Sequence, residues 1–268
     1  MADYIRGLWE RREFVWFLAV GNLRARNAST TLGLVWYVLN PLLLAGVYFF
    51  VFGVLFAGSR RGDPEFLAYL VAGMFVFRFT STTMTGGAST ISKNASLMVN
   101  LRFPRLLLPI SSLLESAIGF IVSLVTFFAL IAPIAGTWPT LTIWAFVPIF
   151  VLQLALNLGL GCLTARWTLP HPDLHNLLPY VTRLWLYLSP IIWAVDDPRF
   201  LNAPEWAKTA VEINPLYHFL NVYRGALMGS SFSFTSTDLV LSAAWALGIL
   251  VVGIYTFVRF EGNMVQHL

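Results

Sequence analysis

Charge is what this sequence has least of. Aspartate, glutamate, lysine and arginine make up 11% of its 268 residues while 57% are hydrophobic, and the mean hydropathy is +0.72; a soluble domain carries about 25% charge. A water-soluble globular protein is therefore excluded. Between Arg26 and Arg60, Glu115 and Arg166, and Asp238 and Arg259 there is no acidic residue, lysine, arginine or histidine at all. One crossing of the hydrocarbon takes about 20 apolar residues, so these gaps alone hold four crossings. The fold class is an all-α integral membrane protein. Cysteine is nearly absent too: Cys162 is alone and can form no disulfide within the chain.

Enzyme signatures are also missing. A phosphate-binding P-loop needs Gly-Lys-Ser/Thr, whereas Lys93 follows Ser92 and Lys208 follows Ala207. This chain does not bind ATP by that route. His171, Asp173 and His175 (HPDLH) have the chemistry of metal ligands but no evident companions, so a solvated loop is the favoured reading over a metal site. A membrane-embedded transferase is disfavoured because the inner loops offer only Asp173 beyond Asp3, Glu10, Glu13 and Glu261 near the termini. An ion channel is disfavoured because no span carries a repeated polar filter. The net charge of +4 reports loop topology and not nucleic-acid binding.

The apolar pattern divides the chain into six spans, at 31–57, 65–86, 106–132, 140–165, 177–195 and 239–258. Residues 1–30 hold a run too short to cross, Phe14 to Val20, with Trp9, Trp16 and Phe17 beside arginines. An interfacial helix is expected there, with a packed cytoplasmic helix as the alternative. Eleven basic residues, from Arg6 to Arg259, fall on the side of the N-terminus, against Arg60, Arg61, Arg199, Lys208 and Arg224 on the other. Both termini are thus expected in the cytoplasm. The outer segment 196–236 contains two helical pieces, one opened by Pro204 and Glu205, the other by Asn214 as N-cap and Pro215 at N1, running to Gly229. Neither is long enough to cross, so re-entrant or interfacial helices are expected.

Four groups of residues carry the functional reading. Arg78 heads a face of span two that includes Ser81, Thr82 and Thr85, and Glu115 lies at a similar depth in span three. An ion pair between them and a cavity arginine remain equal alternatives. Tyr37, Tyr48 and Phe52 on span one, and Tyr180, Arg183 and Tyr187 on span five, form stripes suited to a sugar conduit, because aromatic faces pack on sugar C–H faces; ordinary helix packing is the rival reading. Trp185 falls on the opposite side of span five. The non-spanning segment 87–105 is basic and hydroxyl-rich, with Ser92 or Asn94 able to cap a short helix and Lys93, Ser96, Arg102 and Arg105 available to headgroups or an acidic cleft. Trp206, Tyr217, His218, Tyr223 and Arg224 are expected at an outer gate, with Arg224 near headgroups.

The segments LGLVWYVLNPLLLAGVYFFVFGVLF (32–56), NLRFPRLLLPISS (100–112), HPDLHNLLPYVTRLWLYLSPIIW (171–193) and NPLYHFLNVYRGAL (214–227) resemble the permease subunits of ABC exporters. The branch they are most similar to secretes lipid-linked polysaccharides such as O-antigen, capsule, teichoic acid and mycobacterial galactan. The resemblance implies an N-terminal interfacial helix, six spans, a cytoplasmic coupling helix seated in an ATPase cleft, and outer re-entrant helices. It implies a homodimer in the bacterial inner membrane, two separate ATPase subunits holding ATP and Mg, and a polyprenyl-diphosphate-linked glycan as cargo. A permease for a drug or lipid is the alternative. Pro172 departs from the family, which commonly has arginine before the aspartate; this weakens an ion-pair role for that loop.

Overall fold

The computed structural model describes residues 2–27, 31–55, 63–101, 103–195, 197–229, 232–262 and 264. Arg60, Arg61, Arg102 and Asp196 lie outside the described residues, as do the side chains of Tyr37, Phe52 and Arg199. All regular structure among the described residues is helical. The N-terminal segment forms α1 (Ala2–Glu10) and α2 (Arg12–Asn27), and α3 (Trp36–Tyr48) runs on into π-helical turns at Phe49–Leu55. Next come α4 (Pro64–Lys93), the short α5 (Ala95–Asn100) and α6 (Leu107–Thr126), which continues through a π turn into α7 (Ala132–Ala135). A 3₁₀ turn at Leu141–Ala145 leads into α8 (Phe146–Thr168), followed by α9 (Asp173–Leu188) and α10 (Pro198–Leu201). The chain finishes with α11 (Glu205–Ile213), α12 (Pro215–Leu227) and α13 (Ser236–Phe260).

Four helices among the described residues are long and apolar enough to cross a membrane: Pro64–Lys93, Leu107–Ala135, Leu141–Thr168 and Ser236–Phe260. The other two expected spans, 31–57 and 177–195, are not among these four. α9 starts at Asp173 and stops at Leu188, not 177–195, because Ser189 precedes Pro190 and takes an extended backbone, φ −94° and ψ 144°. The expected second span ends at 86, but α4 continues two turns further to Lys93. Its extension is held by small residues instead of large apolar ones: Thr168 donates to Ala88 O at 2.8 Å, and a Cβ on Gly87 would strike Gly161. The third expected span, 106–132, runs on to Ala135, where Gly136 with a φ of 66° ends α7.

α4 starts with Asp63 as N-cap, accepting from Glu65 N at 2.9 Å, and Pro64 in the first turn. At about 1.5 Å per residue it is roughly 45 Å long, and most of it is buried at the centre of the fold between α6 and α8. Interhelical polar bonds hold α8 to it. Gln153 Nε2 donates to Val76 O at 3.0 Å and Thr164 Oγ1 to Met84 O at 2.9 Å. On its other side α8 meets α13 backbone to backbone, since a Cβ on Gly159 or Gly253 would overlap the facing helix. Such close crossings let apolar helices associate by van der Waals packing where lipid offers no hydrophobic drive. Val15, Ala19 and Leu23 bury one stripe of α2, which packs on α6, while Trp9 and Phe17 on the N-terminal helices are 70% and 71% exposed.

Candidate functional site

The hydroxyl face expected around Arg78 lines a real cavity. Its volume is about 620 Å³, and it lies between α4 and α6 with contributions from α2, α3 and α9. Phe75, Arg78, Thr82, Thr85 and Ser89 form the α4 wall; Ser112, Glu115, Ser116 and Ser123 form the α6 wall. Arg78 and Glu115 thus share one space, and each is engaged within the fold. Lys93 and Asn94 at the end of α4, His175 of α9 and Asn22 of α2 also line it. Val71 and Met74, two turns and one turn before Arg78 on α4, are packed in the core. His171 and Asp173 are exposed, and among the described residues no three His, Cys, Asp or Glu side chains gather to hold a metal.

The span-five stripe lies apart from this cavity. Tyr180 and Tyr187 are 68% and 48% exposed and Arg183 is exposed on the same face of α9, whereas Trp185 turns inward, edge-on to Phe77. Tyr48 of α3 comes against this face, hydrogen-bonded to Tyr187 with Arg183 nearby. The structure therefore joins Tyr48, Arg183 and Tyr187 on one outward surface and leaves Arg78 on another. Arg183 sits ten residues, about 15 Å, along α9 from Asp173.

At the opposite end from Lys93, the segment expected to form the gate is more deeply packed than an interfacial helix pair. Asn214 caps α12 through Leu216 N at 3.1 Å, accepts from Trp185 Nε1 at 2.9 Å and donates to Ser189 Oγ at 2.8 Å. This one side chain fastens the start of α12 to the end of α9. His218 is buried between Asp238 Oδ1 and Glu212 O, each 2.9 Å from a ring nitrogen, and so ties α11, α12 and α13 together. Tyr223 is fully buried, edge-on to Phe120 and Phe146. Arg224, expected near headgroups, is instead 2% exposed. Its guanidinium stacks on Tyr69, 3.4 Å from the ring centroid, and donates to Pro190 O at 2.8 Å. Trp206 is 75% exposed and Tyr217 half-buried.

Beside Lys93 the non-spanning segment folds as expected into a short helix, α5, but neither expected cap operates. Asn94 donates to Thr90 O at 2.7 Å and Ser92 to Ser89 O at 3.1 Å, both back into α4. Ser92, Lys93 and Ser96 are exposed, while Met98 is buried beside Leu106 and Phe257 and anchors α5. Sequence reasoning counted Glu261 among the acids near the termini but gave it no partner. Its carboxylate accepts from Tyr4 Oη at 2.7 Å and from Arg105 N at 2.8 Å, and Arg105 Nη1 bonds its carbonyl. Burial, then Glu261, pushes the Tyr4 phenol upward, so it stays a hydrogen-bond donor. One residue thereby joins α1, the turn after α5 and the end of α13.

The ABC-2 type transporter family model matches residues 13–228. The chain belongs to the ABC-2 type transporter family. The match runs from α2 to the end of α12 and takes in the cavity, the α3/α9 face and α5. Among similar proteins are the O-antigen export system permease protein RfbA of Myxococcus xanthus, 27% identical over 224 residues and 84% of either chain, and that of Klebsiella pneumoniae, 22% identical over 241 residues and 90% of either chain. This ABC-2 family chain therefore shares nearly its whole length with permeases.

Proposed function

We propose that this chain is the membrane subunit of an ATP-driven exporter that moves a polyprenyl-linked polysaccharide out of the cytoplasm. The observation that carries this reading is the continuous family match over residues 13–228, with relatives named as O-antigen export permeases covering 84–90% of both chains. In this reading the chain is not an enzyme; ATP and Mg belong to two separate ATPase subunits. α3 and α9 complete six spans in the bacterial inner membrane, with both termini cytoplasmic.

The outward face of α3 and α9 gives a physical reason for a homodimer. A lipid-facing Arg183 at mid-helix is costly, and covering that face with the same face of a second copy removes the arginine from lipid. The space between the copies is then flanked by Tyr48, Tyr180 and Tyr187. Exposed Ser92, Lys93 and Ser96, with Arg102, form the contact to the ATPase, and α11 and α12 form the outer lid. Glu261 makes α5 move with α1 and α13 when the ATPase closes. Purification with the cognate ATPase tests the assembly: single cysteines at Ser92 and Ser96 crosslink to the ATPase if the reading holds, and clean failure at both in an assembled complex overturns it.

A further inference from the structure

A second concavity lies on the surface where α8 and α13 end. It is an open groove of about 320 Å³ lined by Arg166, Trp167, Tyr255, Thr256, Arg259 and Phe260. Arg166 stands in the last turn of α8 and Arg259 in the last turn of α13, two helices long and apolar enough to cross a membrane. The groove therefore falls at the level where hydrocarbon gives way to headgroups. Both guanidiniums are held by rings and not by acids. Arg166 lies over Phe260, 3.5 Å from the ring centroid, and Arg259 Nη1 donates to Tyr255 Oη at 2.9 Å. Among the described residues neither arginine forms an ion pair, and the neighbouring acid, Glu261, is turned to Tyr4 and Arg105.

A guanidinium stacked on a ring keeps its N–H edge open, and that edge grips a phosphate with two parallel hydrogen bonds. Trp167, 54% exposed, adds an indole N–H that has no partner among the described residues. Above this polar end the surface turns apolar. Val252, one turn before Tyr255 and two before Arg259 on the same face of α13, is 52% exposed, and Val251 beside it 65%. A phosphate that carries acyl chains satisfies both halves of this surface, whereas a free phosphate satisfies one. A zwitterionic headgroup has its own ammonium and gains less from two arginines than one with net negative charge. We propose that the groove binds the headgroup of an anionic phospholipid, with its acyl chains lying along α13. Such a site needs only that α8 and α13 cross a membrane, and it stands whatever the chain exports. A lipid held there clips the end of α8 to that of α13, next to the Glu261 junction with α1.

The test uses the purified full chain in phosphatidylcholine nanodiscs that contain a trace of one of two photoreactive lipids, phosphatidylglycerol or phosphatidylcholine. Both carry the same diazirine next to the glycerol. Phosphatidylglycerol is expected to label peptides covering residues 160–168 and 251–260 about tenfold more than phosphatidylcholine does. Arg166→Gln with Arg259→Gln removes both charges and should bring phosphatidylglycerol down to the phosphatidylcholine level. Arg166→Lys with Arg259→Lys keeps them and should stay within about threefold of wild type, which separates recognition of the lipid from loss of fold. Excess inorganic phosphate should not compete. Equal labelling by the two lipids, or labelling indifferent to the glutamine pair, overturns the site. A lysine pair that falls as far as the glutamine pair assigns the arginines to the fold, and competition by inorganic phosphate makes the ligand a free anion; either result overturns it too.

Discussion

Replacing Asn214 should loosen the junction of α9 and α12 by an amount that its three bonds set. Alanine removes the N-cap to Leu216 N, the acceptor of Trp185 Nε1 and the donor to Ser189 Oγ. A helix cap contributes about 1 kcal/mol, and interhelical bonds in membrane proteins average about 0.6 kcal/mol each, so Asn214→Ala should cost about 2 kcal/mol. Asn214→Asp keeps the cap and the indole's acceptor and loses only the bond to Ser189, so it should cost less than about 1 kcal/mol. The measurement is the midpoint of SDS-driven unfolding in bicelles, converted to free energy for both variants and for Trp185→Phe. Asn214→Ala and Trp185→Phe should be non-additive by roughly 0.6 kcal/mol, since each removes the same bond. If alanine and aspartate destabilise equally, or alanine stays within about 0.5 kcal/mol of wild type, the junction is not held as described.

Gly253→Leu should separate α13 from α8, because even a Cβ there overlaps Gly159; a cost of about 1–3 kcal/mol in the same unfolding assay is expected, against less than 0.5 kcal/mol for Gly248→Leu, where the space is open. Glu261→Gln keeps an acceptor for Tyr4 but loses the charge beside Arg105, and should lower glycan-stimulated ATPase activity about two- to fivefold while expression and dimer content stay constant. Tyr180→Ala with Tyr187→Ala should reduce glycan export at least tenfold with basal ATPase activity intact, consistent with loss of more than about 1.4 kcal/mol of sugar stacking; wild-type export from the inserted double variant removes these rings from the path.

Features fixed by short-range chemistry were legible in the sequence. Asn214-Pro215 starts α12 and Gly229, at φ 67°, follows its end, as the capping residues demand. The 3.6-residue period was enough to gather Thr82 and Thr85 with Arg78, and they share a cavity. What escaped was long-range. Nothing near Arg224 in sequence announces Tyr69, 155 residues away, or Pro190, so a single arginine in an outer segment reads as a headgroup ligand. Tyr4 and Glu261 are 257 positions apart and follow no motif. The end of α4 was missed because GGAST, at 86–90, has little apolar signal; its partner is the backbone of α8, which small residues reach. The end of α9 was missed because the apolar run LSPIIW continues past Pro190, although Ser189, the residue before that proline, leaves the helical region.

The central claim is most directly tested by reconstitution. The chain and its cognate ATPase, incorporated into proteoliposomes with a labelled polyprenyl-diphosphate glycan on the outer, ATP-accessible leaflet, should move the glycan to the lumen only when ATP and Mg are present, and export should fall with Tyr180→Ala/Tyr187→Ala. ATP-driven movement of phospholipid without glycan, or glycan movement that does not depend on ATP, contradicts it.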